Sequence, residues 1–455
     1  MGGLGHVMDT SLSAMFAAQA GLATVSHNIA NAGTPGYSRQ QTVFAARRPL
    51  MLTFGAIGRG VDIAGIRRMQ DEFLLANLRK QAAKYESYAT ADATLYDLEA
   101  ILGSVDNDHL GDALTDFFNA WSDLATPPAN PGLKQSVVSS AQSLVADFHA
   151  LSNGLDDMER NIEQAVQQEI VQLNDLLAQV AGLNEHIMAA EVGGEAANDL
   201  RDARDRLITE VSRIAEVSVI ERDDGSKDVI LAGRTMVTRG SFQRFTSRYV
   251  QDGDGYKMTV VTQDNLRDVK LSEGRLEGLL TSRDVHVTSV REKLDEVARA
   301  LIESVNALHS EGNSGLASGL PFFTGDSIHT IDVIAAIQDD PSLVATSRSG
   351  APGDNDIARA IAELANGGGE AGGQGVGDRY RSLLIDLASQ RSSFEFLVDN
   401  QQNLVGSIEA RIARVSGVSM DEEGANMVRY QQTYGAAAKV ISTVQELYDT
   451  LLNMV

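Results

Sequence analysis

The sequence predicts a mainly α protein: a long helical bundle or coiled coil formed by both chain termini, a helical rod domain, and a small β-rich inserted domain. Three observations carry this. The eight prolines fall at 35, 49, 127, 128, 131, 321, 341 and 352, so 132–320 and 353–455 are free of the strongest helix breaker. Within those windows apolar residues recur in steps of three and four, the period of one helix face. The period switches to that of strands once, between Val217 and about Lys270.

The first helix carries Met8, Leu12, Met15, Leu22 and Ile29 on one seam, with Gln19 and Ser26 as its polar members. Ala14, Ala17, Ala18, Ala20, Gly21 and Ala23 crowd it with small side chains that let a partner helix approach closely. It should end near Ser26–Gln40, where Asn31 and Gly33 suit a C-terminal cap. Thr34-Pro35-Gly36 then presets a turn before an extended stretch through Phe44. Further rods follow on three seams. These are Leu74 to Leu102, Leu144, Phe148, Leu151, Leu155, Met158 and Ile162, and Val290, Leu294, Val297, Leu301, Val305 and Leu308. Asp-Gly pairs at Asp224-Gly225 and Asp252-Gly253 mark hairpin turns in the β-rich stretch. Residues 312–325 and 350–377 read as loops, with the glycine runs near 367 and 372 as flexible linkers. A rod from Leu384 to Val415 precedes the last helix. There Met427, Tyr430, Tyr434, Ala437, Ile441, Val444, Tyr448 and Leu451 form a heptad seam behind Asp421-Glu422-Glu423, acids placed at the positive end of the helix dipole. The expected domains are 1–60 (pairing with 416–455), 61–216, 217–272, 273–415 with its loop-rich 312–377, and 416–455.

With 62 Asp+Glu against 38 Lys+Arg, the net charge of -24 argues against a general nucleic-acid binder, which needs a cationic surface. The acid is uneven. Residues 1–60 hold one acid, Asp9, and four bases, whereas 147–210 hold fourteen acids and four bases, read as a solvated helix surface. Without cysteine there is no disulfide and no thiolate metal site or nucleophile. No apolar run approaches the ~20 residues needed to span a bilayer, and the start lacks the cationic region of a secretion signal, so neither a membrane nor a cleavable leader is expected. Asp252-Gly-Asp-Gly resembles a calcium loop, but the twelfth position is Gln263 rather than Glu. There is no G-x-S-x-G elbow and no H-E-x-x-H helix, and His27, His149 and His186 have no ligand spacing. Asp156-Asp157 reads as part of a charged helix face. The expectation is therefore no enzyme, no cofactor and no metal.

The stretch from Ser26 through Asn28-Ile29-Ala30-Asn31 and Thr34-Pro35-Gly36-Tyr37 to Ser38-Arg39-Gln40 resembles the N-terminal signature of bacterial flagellar rod, hook and hook-associated proteins. Its ending, Ser38-Arg39-Gln40, resembles in particular the FlgK family of hook-associated proteins at the hook–filament junction. Further stretches are similar to that family in the same order. They are Asn198-Asp199-Leu200-Arg201-Asp202-Ala203-Arg204-Asp205, Gly274 to Leu280, Val305-Asn306-Ala307-Leu308-His309, Ser416 to Glu423, and Arg429-Tyr430-Gln431-Gln432-Thr433-Tyr434. Ala32-Gly33 departs from the pattern where a second Asn is common, and the middle is short.

The resemblance implies a structural adaptor between hook and filament, required for filament assembly and motility. Its terminal helices would pair as a coiled coil lining a central channel. It also implies partners: further copies in a homo-oligomeric layer, the hook protein, a second junction protein, and an export chaperone with the type III apparatus. The protein would be secreted to the extracellular flagellum after a cytoplasmic stage. Subunit contacts are expected at Asn28, Ile29, Asn31, Thr34, Pro35, Gly36, Tyr37 and Arg39, and at Tyr430, Gln431, Tyr434, Ala437, Ile441 and Val444. Another axial protein of hook or rod type is the nearest alternative. A cytoplasmic coiled-coil signalling module would leave Thr34-Pro35-Gly36-Tyr37 unexplained.

Overall fold

The computed structural model describes residues 2–52, 55–103, 109–252, 255–351, 353–367 and 375–453. In chain order they form α1 (Gly2–Ala30), β1 (Gln40–Ala46), β2 (Leu50–Leu52), β3 (Gly55–Ile57), β4 (Val61–Arg68), α2 (Glu72–Leu102), α3 (His109–Ala125), α4 (Pro131–Ala190) and α5 (Asn198–Ile214). Strands β5 (Val217–Glu221), β6 (Lys227–Leu231), β7 (Arg234–Thr238), β8 (Ser241–Phe242), β9 (Phe245–Asp252) and β10 (Gly255–Thr262) follow. Then come α6 (Arg275–Thr281), a π-helical turn Ser282–Val287, α7 (Thr288–Glu311), β11 (Phe323–Thr324) and β12 (Asp332–Val333). The chain ends with α8 (Ala335–Asp339), α9 (Asp356–Glu363), α10 (Val376–Ser416) and α11 (Met420–Asn453).

These elements fall into two compact units. The first comprises Met1–Tyr85, Glu169–Gly274 and Gln401–Val455; the second comprises Glu86–Gln168 and Arg275–Asn400. Helices α2, α4 and α10 contribute residues to both.

In the first unit α1 runs antiparallel to α11. Gly5 faces the Tyr448 hydroxyl, and Gly21 faces Tyr430, where a Cβ would come within 2.6 Å of the ring. That close approach is what a small residue permits at a helix crossing. The buried face of α1 is nevertheless not the expected seam. Ser11, Ser13, Ala17, Ala18, Thr24, Val25 and Asn28 are buried, whereas Leu12 is exposed and Met8, Met15, Leu22 and Ile29 are half-buried. Small and hydroxylic side chains suit this face because a ribbon packs against it: Thr24 and Thr42 share a hydrogen bond of 2.8 Å, and Val61 N–H donates to Ser13 Oγ at 3.2 Å.

That ribbon corrects the single switch to strand structure read from the sequence. Strands β1 and β4 pair antiparallel from Gln40↔Arg68 to Ala46↔Val61 with a bulge at Val43/Phe44, and β2 pairs with β3. Three-residue strands and a run broken by Gly60 and Gly65 are too short and irregular to show a period of two. Gly60, at φ 95°, passes so close to α1 that a Cβ would collide with Ser13. The turn read at Thr34-Pro35-Gly36 forms, with Tyr37 N–H donating to Thr34 O at 3.2 Å and Gly36 at φ 77°, whereas Gly33, read as a helix cap, does not take a positive φ.

Between Val217 and Thr262 the chain forms a four-stranded antiparallel meander, β5-β6-β7-β8, and a separate β9-β10 hairpin. The hairpin tip at 253–254, which includes the Asp252-Gly253 turn and part of the calcium-loop lookalike, lies outside the described residues.

The second unit is built on the seams the sequence shows. Leu144, Phe148, Leu151, Leu155, Met158 and Ile162 of α4 are buried, as are Val290, Leu294, Val297, Leu301 and Val305 of α7. Its centre is a ring cluster of Phe117, Trp121, His309, Phe322 and Phe323, with neighbouring centroids 4.9 to 6.4 Å apart. Residues 312–351 and 353–367 are more than loop: besides Phe322 and Phe323 they bury Ile328, Ile331, Ile337, Ile357 and Ile361. The glycine run 368–374 lies outside the described residues.

Candidate subunit-interaction site

The motifs read along the sequence meet in space within the first unit. At the end of α1, Asn31 donates both its backbone N–H and its side-chain amide to His27 O, at 3.1 and 3.0 Å, which fixes the helix exit. The turn then brings Tyr37 back, and its hydroxyl donates to Asn28 Oδ1 at 2.8 Å. Asn28 is 1% exposed and fully engaged. Its Oδ1 also accepts from Gln40 N–H at 2.9 Å, and its Nδ2 donates to Gln40 O at 2.9 Å and to Glu423 Oε2 at 3.1 Å. No aliphatic residue could serve all of these groups.

Arg39 closes the other side. Its Nε donates to Glu423 Oε1 at 2.7 Å, its Nη1 to Glu422 Oε2 at 2.8 Å, and its backbone N–H to Ser416 O at 2.8 Å. The acids before the last heptad seam therefore do more than face a helix dipole: they tie α11 to the turn after α1. Helix α5 supplies a third wall. Asp199 accepts from Gln40 Nε2 at 2.7 Å, and Asp202 accepts from Ser38 N–H at 2.8 Å and from Arg68 at 2.7 Å. Asp205 accepts from Arg68 at 3.0 Å and from Lys227 Nζ at 2.9 Å.

Burial alone would raise Asp205, but the charges of Lys227, Arg68 and Arg204 outweigh it and hold the carboxyl at about 2. Burial raises Asp202 above the ordinary carboxylate value, against the pull of its bonds to Ser38 and Arg68. Burial, helped by Asp199, Asp202 and Glu423, also raises the Tyr37 phenol, which stays protonated and able to donate to Asn28.

The expected subunit-contact residues separate accordingly. Asn28, Ala437 and Val444 are buried, and their contacts lie inside the subunit. Ile29, Asn31, Tyr37, Arg39, Tyr430 and Ile441 are half-buried. Thr34, Pro35, Gly36, Gln431 and Tyr434 are exposed. Beside them stands an apolar surface that the heptad reading did not single out: Val7 and Phe16, next to Leu12, on α1, and Val428, Val440, Leu447 and Leu452 on α11, all exposed. The signal was present as apolar residues off the main seam. Sequence reasoning also missed Arg68 and Lys227 as partners of α5, because nothing local marks a strand-borne cation as the mate of a distant helix. Among the described residues no helix is long and apolar enough to cross a membrane, and no cluster of His, Asp and Glu could hold a metal.

Comparison with known proteins assigns both ends and the middle. Residues 8–37 match the family model "Flagella basal body rod protein", and 413–454 match "Flagellar basal body rod FlgEFG protein C-terminal". Paired ends of this type define the class, an axial protein of the bacterial flagellum. Residues 95–323, half of the chain, match "Flagellar hook-associated protein FlgK helical domain", and the chain belongs to the FlgK family of hook-associated proteins. Flagellar hook-associated protein 1 of Salmonella typhimurium is 25% identical over 99% of this chain and 100% of its own length. The Bacillus subtilis protein of that name is 26% identical over 98% and 97%. Among solved structures, the flagellar hook junction protein FlgK from Burkholderia pseudomallei shares the fold, with a TM-score of 0.65 at 14% identity over 75% of this chain and 100% of that one.

Proposed function

We propose that copies of this structural protein form a short homo-oligomeric layer at the hook–filament junction, seated on the hook protein and presenting a second junction protein with a surface to build on. The observation that carries this reading is the terminal helix pair. It is locked internally by Asn28, Arg39 and Glu423 yet leaves Val7, Leu12, Phe16, Val428, Val440 and Leu447 in water. An exposed apolar surface of this kind marks a contact with other protein. Thr34, Pro35 and Gly36, with Gln431, Tyr434 and Ile441, are the groups placed to meet neighbouring copies. The subunit travels from the cytoplasm to the extracellular flagellum through the type III export apparatus, with an export chaperone covering the terminal helices until assembly.

Deleting the gene should leave hooks without filaments and release flagellin into the medium; filaments of normal length on the deletion strain would overturn the proposal. Complementation with a chain lacking 423–455 should fail to restore filaments. A hook or rod role is the second reading, favoured by the matches at 8–37 and 413–454. Immunogold labelling at the base of the hook rather than at its tip would favour it.

A further inference from the structure

The net charge of -24 is not shared between the two units. The second unit holds 33 of the 62 acids but 12 of the 38 bases, a net charge of -21, so the first is close to neutral. Within the first unit one stretch has the opposite sign. Residues 39–68, which contain strands β1 to β4, carry six arginines and a single acid, Asp62. Three of these arginines are occupied inside the subunit: Arg39 by Glu422 and Glu423, Arg47 by Asp62, and Arg68 by Asp202 and Asp205. Arg48, Arg59 and Arg67 are exposed and have no ion-pair partner among the described residues. The same stretch leaves Met51, Ile57 and Ile63 in water. Arginines interspersed with exposed apolar side chains are the composition of a protein contact, in which the apolar groups gain by losing water and the charges set orientation.

The surface that answers this ribbon lies on α3. Asp112, Asp116 and Asp123 recur at intervals of four and seven, so they share one face of the helix, and all three are exposed. Helix α3 contains neither Lys nor Arg, and none of the three carboxylates has an ion-pair partner among the described residues. Arg359 and Arg381 line the cleft beside Asp112, but each stands by an acid of its own helix, Glu363 and Asp378. In a layer of copies the strongly acidic second units repel one another, and a cationic surface set against α3 offsets that repulsion.

We propose that the β1–β4 ribbon of one copy docks on the α3 face of a neighbouring copy, with Arg48, Arg59 and Arg67 meeting Asp112, Asp116 and Asp123. The inference rests on the homo-oligomeric layer proposed above and names the surfaces that join it. Every copy carries both halves, so each contact leaves one ribbon and one helix free for the next copy, the head-to-tail arrangement that closes a ring or continues a helix.

The test complements the deletion strain with chains of reversed charge. Arg48→Glu/Arg59→Glu/Arg67→Glu and Asp112→Lys/Asp116→Lys/Asp123→Lys should each fail to restore filaments, and the chain carrying both sets should restore them. All these positions are exposed, so the purified variants should melt with the parent. Normal filaments with either reversed set would overturn the docking; the junction role would stand, because the deletion strain tests it alone. Should the combined chain not restore filaments, cross-linking decides, and the absence of cysteine makes it clean. A chain with Asp116→Cys is co-expressed with one bearing Arg48→Cys, Arg59→Cys or Arg67→Cys, and isolated hook–filament assemblies are treated with a short bismaleimide. A mixed dimer from at least one of the three pairs supports the contact, and no mixed dimer from any of them rejects it.

Discussion

Around Trp121 the second unit buries rings, and around Asp205 the first unit buries charges. The ring cluster is held by dispersion and the exclusion of water; His309 is satisfied on both ring nitrogens by Leu320 O and Ala345 N–H, while the Trp121 indole N–H has no partner among the described residues. The charged hub is held by paired ions and side-chain amides whose Coulombic gain is largely spent on desolvation. A ring cluster is tolerant of who packs against whom. The hub is not, since Asn28 satisfies only a partner presenting the right donors and acceptors. The second unit is therefore held chiefly by apolar burial, whereas the first sets the register between chain segments as far as 395 residues apart.

The largest expected effect is on the rings. Phe322→Ala should cost about 3 to 5 kcal/mol, because a fully buried ring leaves a cavity. The sole tryptophan, Trp121, has its ring 5.5 Å from that of Phe322, so its fluorescence reports the lowered unfolding midpoint directly. Hydrogen exchange at Ser38 and Gln40 in the first unit should be unchanged; a parallel loss there would merge the two interiors into one.

Acid should separate them next. Burial lowers the His309 imidazole to about 4, against its bond to Leu320. An unfolded histidine takes up its proton near 6.5, which the folded chain refuses until about 4. His309 thus contributes full stability above ~6.5 and loses it as the pH falls toward ~4, about 3 kcal/mol in all. Urea unfolding followed through Trp121 at pH 7, 5.5 and 4.5 should show this slope, and His309→Gln should flatten it. In the hub, the lowered Asp205 acts in the same direction only between ~4 and ~2, while the raised Asp202 opposes it, so the first unit should be the less sensitive of the two.

A smaller effect is expected at the hub itself. Asn28→Ala should cost about 1 to 3 kcal/mol, by leaving Gln40 N–H and the Glu423 carboxylate short of partners. It should speed exchange of the Gln40 amide while leaving Trp121 fluorescence as it was. The smallest stability change belongs to Leu12→Asp on the exposed face of α1, within about 0.5 kcal/mol of the parent. Its effect should appear in swimming assays as lost motility with a normally folded subunit. Retained motility would remove that face from the assembly surface.

Local periodicity was legible because it is written at short range. The seam 144–162 turned out buried residue for residue, the seam 290–308 all but its half-buried last member Leu308, and the Asp224-Gly225 turn does separate two paired strands. The ends were legible as helices but not as faces. The small residues and hydroxyls of α1 point inward and Leu12 outward, because the partner across that face is a ribbon of strands too short to announce itself. Asn28, Arg39, Asp202 and Glu423 were visible as parts of motifs, yet their bonds to one another were not.

The sequence by itself determined where helices run, where they stop, and that both ends must find company, since an amphipathic helix declares its period in its own residues. Only the tertiary structure decided which face of α1 meets that company. It also decided that Glu423 answers Asn28 across the length of the chain. Pairing of charges and amides over long separations depends on chain closure, and no local pattern encodes it.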